Sequence, residues 1–289
     1  MERAKNMAWP KGSAQPPIAS GRARNLPFQV AAVCWVDLLG YGGMIGAADF
    51  NPIAPQAKTA ITRLRAFHRI VAEHSGRTFR TLVLNDGAVV YRDLSLRSSG
   101  VTYDFLARSF ALFKALEASE KRNGWYGARM VLATGFRAKG SSRAIDAAAG
   151  QLESILSRMK AGQIAPEEAI REAASIERYF DVLPQLQANF AFTKAYLADA
   201  AGSGAGLGGP RFFVDTAIFE NGIPTWVRAD APVAFKDQRL GLGGEFAPVS
   251  ELTPPGHTTP AVPGMRDALQ IADAIAPSAN VRALIRAAR

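Results

Sequence analysis

The stretch Phe28–Gly43, FQVAAVCWVDLLGYGG, constrains this chain more than any other. From Val30 to Val36 every residue is apolar, which suits a central strand covered on both faces. Asp37 interrupts the run, and a carboxylate at the end of a buried strand is costly unless it is paired or holds a cation. The residues that follow, Leu38-Leu39-Gly40-Tyr41-Gly42-Gly43, predict a glycine-rich turn whose backbone amides can approach a ligand closely. A carboxylate for metal beside a backbone nest suits a nucleoside triphosphate. The plainer alternative is that Asp37 caps the next helix.

Composition narrows the partners. The chain has 289 residues, with 34 Lys and Arg against 25 Asp and Glu, giving a formal charge of +9. That favours anionic partners in general. The basic residues are scattered, however, and no ladder of aromatics and arginines is present, which argues against a dedicated nucleic-acid surface. The one cysteine, Cys34, lies within the apolar strand and reads as a core thiol. Three histidines, His68, His74 and His257, are too dispersed for a metal cluster. No secretory pattern opens the chain and no window has the apolar length of a membrane span, so a soluble cytoplasmic protein without a membrane partner is expected.

Along the chain, residues 1–26 lack periodicity and predict a flexible basic arm. A helix opens at Pro55, with Ala57, Ile61, Leu64, Phe67 and Val71 on one face and Arg63, Arg65 and Arg69 largely off it. His68 reads as a boundary residue. Arg77–Leu94 predicts a hairpin turning at Asn85-Asp86-Gly87. A second helix follows from Thr102 to about Lys121, then a strand over Trp125–Thr134. This strand and helix order predicts an α+β fold with a ferredoxin-like βαββαβ core, an antiparallel sheet and extra helices. Helices are expected near 142–160, 165–178 and 185–200, and a closing pair of strands at Arg211–Phe219 and Pro224–Arg228. Residues 231–263 read as a Gly/Pro-rich linker and 264–289 as a C-terminal helical segment, leaving 27–230 as the main domain.

In a ferredoxin-like order the end of the first strand lies beside the tip of the central hairpin. Asp37 and Asp86 occupy those two places, a geometry suited to two-metal phosphoryl transfer. Here the chain resembles the class III nucleotidyl cyclases, in particular their defence-associated pyrimidine cyclase-like branch. Asp37-Leu38-Leu39-Gly40-Tyr41 is similar to the family's Asp-Ile-x-Gly-Phe, and Asp86 stands where its second metal-binding aspartate does. Asn189–Leu197, followed by Pro210–Val214, looks like the family's late helix and proline-led strand.

The resemblance implies a phosphorus-oxygen lyase that turns a nucleoside triphosphate into a 3′,5′-cyclic mononucleotide and pyrophosphate, in antiphage signalling. It implies two divalent ions, magnesium or manganese, on Asp37, Asp86 and the backbone of Leu38. It implies phosphate binding by the backbone of Leu39, Gly40 and Tyr41, and a homodimer whose sites are completed by the partner's late helix. One departure stands out. If Ala195-Tyr196-Leu197 aligns with the family's Ala-Arg-Leu, Tyr196 replaces its arginine and Phe192 its asparagine. Lys194, Asn189 and Arg129 are the candidate replacements, with Arg137 a further cation. A degenerate cyclase-homology domain that binds nucleotide or another subunit without turnover is the alternative.

Overall fold

In this computed structural model the described residues are 26–139, 147–176, 183–253 and 260–288. The expected arm and parts of two expected helices, at 142–146 and 177–178, lie outside them, as does the stretch 254–259. The described chain falls into two compact units, one formed by residues up to Arg137 and from Asn189 onward, the other by Ala138–Ala188.

The larger unit is built on one eight-stranded sheet. Its strands are β1 (Phe28–Leu38), β2 (Arg80–Leu84), β3 (Gly87–Asp93), β4 (Ala128–Ala138), β5 (Phe212–Asp215), β6 (Val227–Ala229), β7 (Val233–Asp237) and β8 (Leu242–Leu252). The spatial order is β2-β3-β1-β4-β5-β8-β6, with β7 also pairing with β8. The first four strands thus stand in the expected ferredoxin-like order. β3 runs antiparallel to both β1 and β2, β5 runs parallel to β4, and β8 is antiparallel to β5, β6 and β7.

Alternation along β1 divides the two faces of the sheet. Val30, Ala32, Cys34, Val36 and Leu38 join the main core, with Phe67 and Val71 of α2 (Pro55–His74) and Leu106, Leu112 and Leu116 of α3 (Ser99–Asn123). Residues of α7 (Ala268–Ile275) and α8 (Ala279–Ala288) join the same cluster. Trp35 points to the opposite face, where it packs on α6 (Phe190–Ala201) through Phe192 and Tyr196. The smaller unit contains α4 (Ala147–Lys160) and α5 (Pro166–Ala174), joined by a two-pronged Arg158–Glu172 ion pair.

Four expectations are corrected. The turn after Asp37 is short, because a helix, α1 (Tyr41–Ala47), already begins at Tyr41. Arg63, expected off the buried face of α2, is fully buried and paired with Glu120 of α3. The expected closing strands do not pair with each other: β5 and β6 each pair with β8. Much of the expected linker, 231–252, is instead β7 and β8. Despite two glycines and a proline, β8 buries Phe246–Val249 in the sheet, so tertiary pairing overrides weak strand propensity. Among the described residues, no helix is long and apolar enough to cross a membrane.

Candidate functional site

Backbone pairing creates the site. Asp37, near the end of β1, pairs in register with Gly87, the first residue of β3. The Leu38 amide then donates to the Asp86 carbonyl at 3.1 Å. Asn85, at φ 57°, turns the hairpin, and asparagine tolerates that left-handed conformation. His68 of α2 holds the same tip, its Nε2 lying 2.8 Å from the Asn85 carbonyl oxygen. Gly87 leaves space that the Trp35 ring fills, since a Cβ there would lie 2.9 Å from the indole. Two acids far apart in sequence thereby reach one end of the sheet.

The turn beyond Asp37 is braced from below. Leu39 donates its amide to the Gly127 carbonyl at 3.0 Å. Gly127 is itself gripped: its amide donates to Glu120 Oε2 at 3.0 Å, and its carbonyl accepts from Arg63 Nη2 at 3.1 Å. Arg63 and Glu120 close the network through Nη2–Oε2 at 2.7 Å and Nε–Oε2 at 3.1 Å. A buried pair without such extra hydrogen bonds would lose more to desolvation than it gains. Gly40 then reverses the chain at φ 73°, a backbone region costly for other residues.

Electrostatics single out Asp37. Burial, then the carboxylates of Asp199 and Asp86, push its pKa up to about 6, with Arg129 and Arg63 opposing. Burial also raises the Tyr41 phenol, and Asp86 adds to that shift. Asp199 lies seven residues after Phe192 on α6, two turns along the face that packs on β1. Arg129 of β4 holds it, with Nε 2.5 Å from Asp199 Oδ1 and Nη2 2.9 Å from the Asp199 carbonyl. The sequence reading missed Asp199. Its helical spacing from Phe192 and Tyr196 was the available signal.

The other expected residues are placed differently. Lys194 is 5% exposed and its Nζ lies 2.6 Å from Asp215 Oδ2. The same carboxylate oxygen accepts from the Thr134 amide and hydroxyl, so Lys194 is engaged on the β4–β5 side of α6. Asn189 caps α6, its Oδ1 accepting from the Phe192 amide at 3.1 Å. Arg137 makes a two-pronged pair with Asp93. The expected cation set therefore does not converge, and Arg129 alone of it acts on Asp37. Cys34 is wholly buried with its thiol pKa driven far up, which suits a core residue and not a nucleophile.

Among the described residues no group of three or more His, Cys, Asp or Glu has metal-holding geometry. Asp37 and Asp86 form a two-carboxylate set, and the raised Asp37 pKa marks local negative charge short of compensation. A cation there relieves both the desolvation and the repulsion, so the pair fits one. Asp199 is engaged by Arg129.

No family model matches the chain, and no curated protein does. Among solved structures it is similar to the guanylyl cyclase Cya2, at a TM-score of 0.46 and 11% identity, over 80% of this chain and 96% of that one.

Proposed function

We propose that the chain is a nucleotidyl cyclase that binds a nucleoside triphosphate with divalent ions at the Asp37–Asp86 end of the sheet. One observation carries this reading: the β1–β3 register brings two aspartates to one turn, where burial, and then the charges of Asp199 and Asp86, raise the Asp37 pKa to about 6. Asp37, Asp86 and the carbonyl of Leu38 would hold the ions. Magnesium or manganese bound there would supply Lewis acidity toward the ribose 3′-hydroxyl and neutralise charge on the phosphates.

The chain's own residues do the rest. The first amides of a helix have no intrahelical partner, so the backbone of Gly40 and Tyr41 is suited to phosphate oxygens. Leu39 sets that turn through its bond to Gly127 and contributes position in place of a free amide. Arg129 is the cation nearest in effect to Asp37 and stabilises charge building on the α-phosphate. Asn189 and Lys194 act as positioning residues, holding the start and the middle of α6. In the reaction the 3′-oxygen bonds to the α-phosphorus, the bond to the β-phosphate oxygen breaks, the hydroxyl proton passes to solvent, and pyrophosphate leaves.

A homodimer belongs to this proposal, supported by the exposed Phe190 and Tyr196 on α6. The pyrimidine preference and a role in antiphage signalling rest on the sequence resemblance alone. A second reading, nucleotide binding without turnover, is favoured by the packing of Phe192 and Tyr196 on Trp35, where the family carries asparagine and arginine. Incubation with each of the four ribonucleoside triphosphates and manganese, read by mass spectrometry, decides between them. A cyclic mononucleotide with released pyrophosphate supports the cyclase; binding of triphosphate with no product supports the second reading.

A further inference from the structure

We infer that the groove between α2 and α3 is a second, metal-independent binding site for a multiply charged phosphate anion. The groove, about 660 Å³, is lined by Arg65 and Arg69 from α2, by Arg122 from the end of α3, and by Trp125. Arg65 and Arg69 are one helical turn apart, so their charges face the same way. Like charges at that spacing destabilise a helix, and among the described residues neither arginine is held by an ion pair.

Position sets these arginines apart: Arg97 and Arg239 also make no side-chain ion pair among the described residues, but Arg65, Arg69 and Arg122 line one groove. Arg63, Arg92, Arg108, Arg129 and Arg137 in the same unit are all engaged by carboxylates. Among the described residues Arg65, Arg69 and Arg122 make no ion pair or hydrogen bond. Glu73 also lines the groove but pairs with none of them. Three guanidinium groups against one carboxylate leave two net positive charges facing a concave surface. A dianion or trianion balances that charge, and phosphate oxygens match the two-pronged donors of arginine. Trp125 closes one wall, its ring stacked on Arg63 at 5.9 Å. The groove is open to solvent and within reach of a small anion. It is separate from the Asp37 turn, which is anionic without metal and repels phosphate.

The test is calorimetric titration of the whole protein with inorganic pyrophosphate in EDTA at about 0.15 M salt, where distant surface charges are screened. The inference predicts saturable binding that weakens about tenfold or more in each of Arg65→Ala, Arg69→Ala and Arg122→Ala. It predicts unchanged binding in Asp37→Asn and in Arg239→Ala, an exposed arginine elsewhere on the unit. No saturable binding, or equal weakening in Arg239→Ala, overturns it by pointing to general attraction to a basic protein. A change of affinity in Asp37→Asn with none in the groove variants overturns it too, by assigning the anion to the other site. Circular dichroism of each variant confirms that these exposed substitutions leave the fold intact. The result is independent of whether any nucleotide is turned over.

Discussion

Asp37 sits opposite Gly87 in the β1–β3 ladder, and that pairing sets the carboxylate-bearing end of one strand against the hairpin tip that carries Asp86. The two acids are held by backbone hydrogen bonds, with no side-chain contact needed to bring them together. Burial, and then the charges of Asp199 and Asp86, raise the pKa of Asp37, with Arg129 and Arg63 opposing them only in part.

The first prediction concerns pH. The folded-state pKa of Asp37 is about 6, above its ordinary value of 3.8, so the fold disfavours the ionised form. The native state binds more protons than the unfolded chain between those values, and stability falls as pH rises through that window. Asp37→Asn removes the penalty. In EDTA the variant should be more stable than the parent at pH 7 to 8, with the difference shrinking below pH 6 and vanishing near pH 4. Urea denaturation of both proteins across this range checks it; a constant difference contradicts it.

The brace beneath the turn makes a second prediction. Glu120→Gln or Arg63→Met leaves a buried charge unpaired and should cost about 3–5 kcal/mol. The double variant should recover part of that loss, since the introduced glutamine still accepts from the Gly127 amide and the remaining cost is chiefly the lost Arg63 bond to the Gly127 carbonyl. Denaturation midpoints of the four proteins measure the coupling. Additive losses would mean that the pair does not act as a unit.

Much of this was legible before any coordinates. The apolar run of β1, its ending at Asp37 and the Asn-Asp-Gly hairpin are local signals, and the strand order followed from them. Arg63 was not legible. Its helical position lies off the hydrophobic stripe, and the partner that makes burial tolerable, Glu120, is on another helix. β8 was hidden for a related reason: Gly243, Gly244 and Pro248 suppress the strand signal, while three neighbouring strands supply the pairing. Asp199 escaped notice because a carboxylate in an alanine-rich helix is ordinary until Arg129 and Asp37 are seen beside it.

Lys194 separates a structural role from a chemical one. Its pair with Asp215 is almost fully buried, so Lys194→Met or Asp215→Asn should destabilise the fold by about 3–5 kcal/mol. Loss of activity in Lys194→Met should then track loss of folded protein. Arg129→Lys should act otherwise, lowering kcat while stability changes little. A fully folded Lys194→Met protein with abolished turnover would return Lys194 to direct chemistry.

Gly40 tests the turn itself. Alanine there must adopt φ 73° and would place its Cβ 2.8 Å from the Tyr126 ring. Tyr126 is exposed and able to swing aside, so the backbone term of about 1–2 kcal/mol should dominate. Gly40→Ala should cost that much in both the parent and a Tyr126→Ala background. Full relief in the second background would show that the clash, and not the left-handed turn, sets the requirement for glycine.

The proposed cyclase site requires Asp37 and Asp86 to share a divalent cation with a bound triphosphate. Its most direct measurement is a manganese titration, followed by electron paramagnetic resonance, in the presence of a non-hydrolysable nucleoside triphosphate. The account predicts that protein-dependent manganese binding in the parent weakens at least tenfold in both Asp37→Asn and Asp86→Asn. Equal manganese binding by the parent and both variants would contradict it.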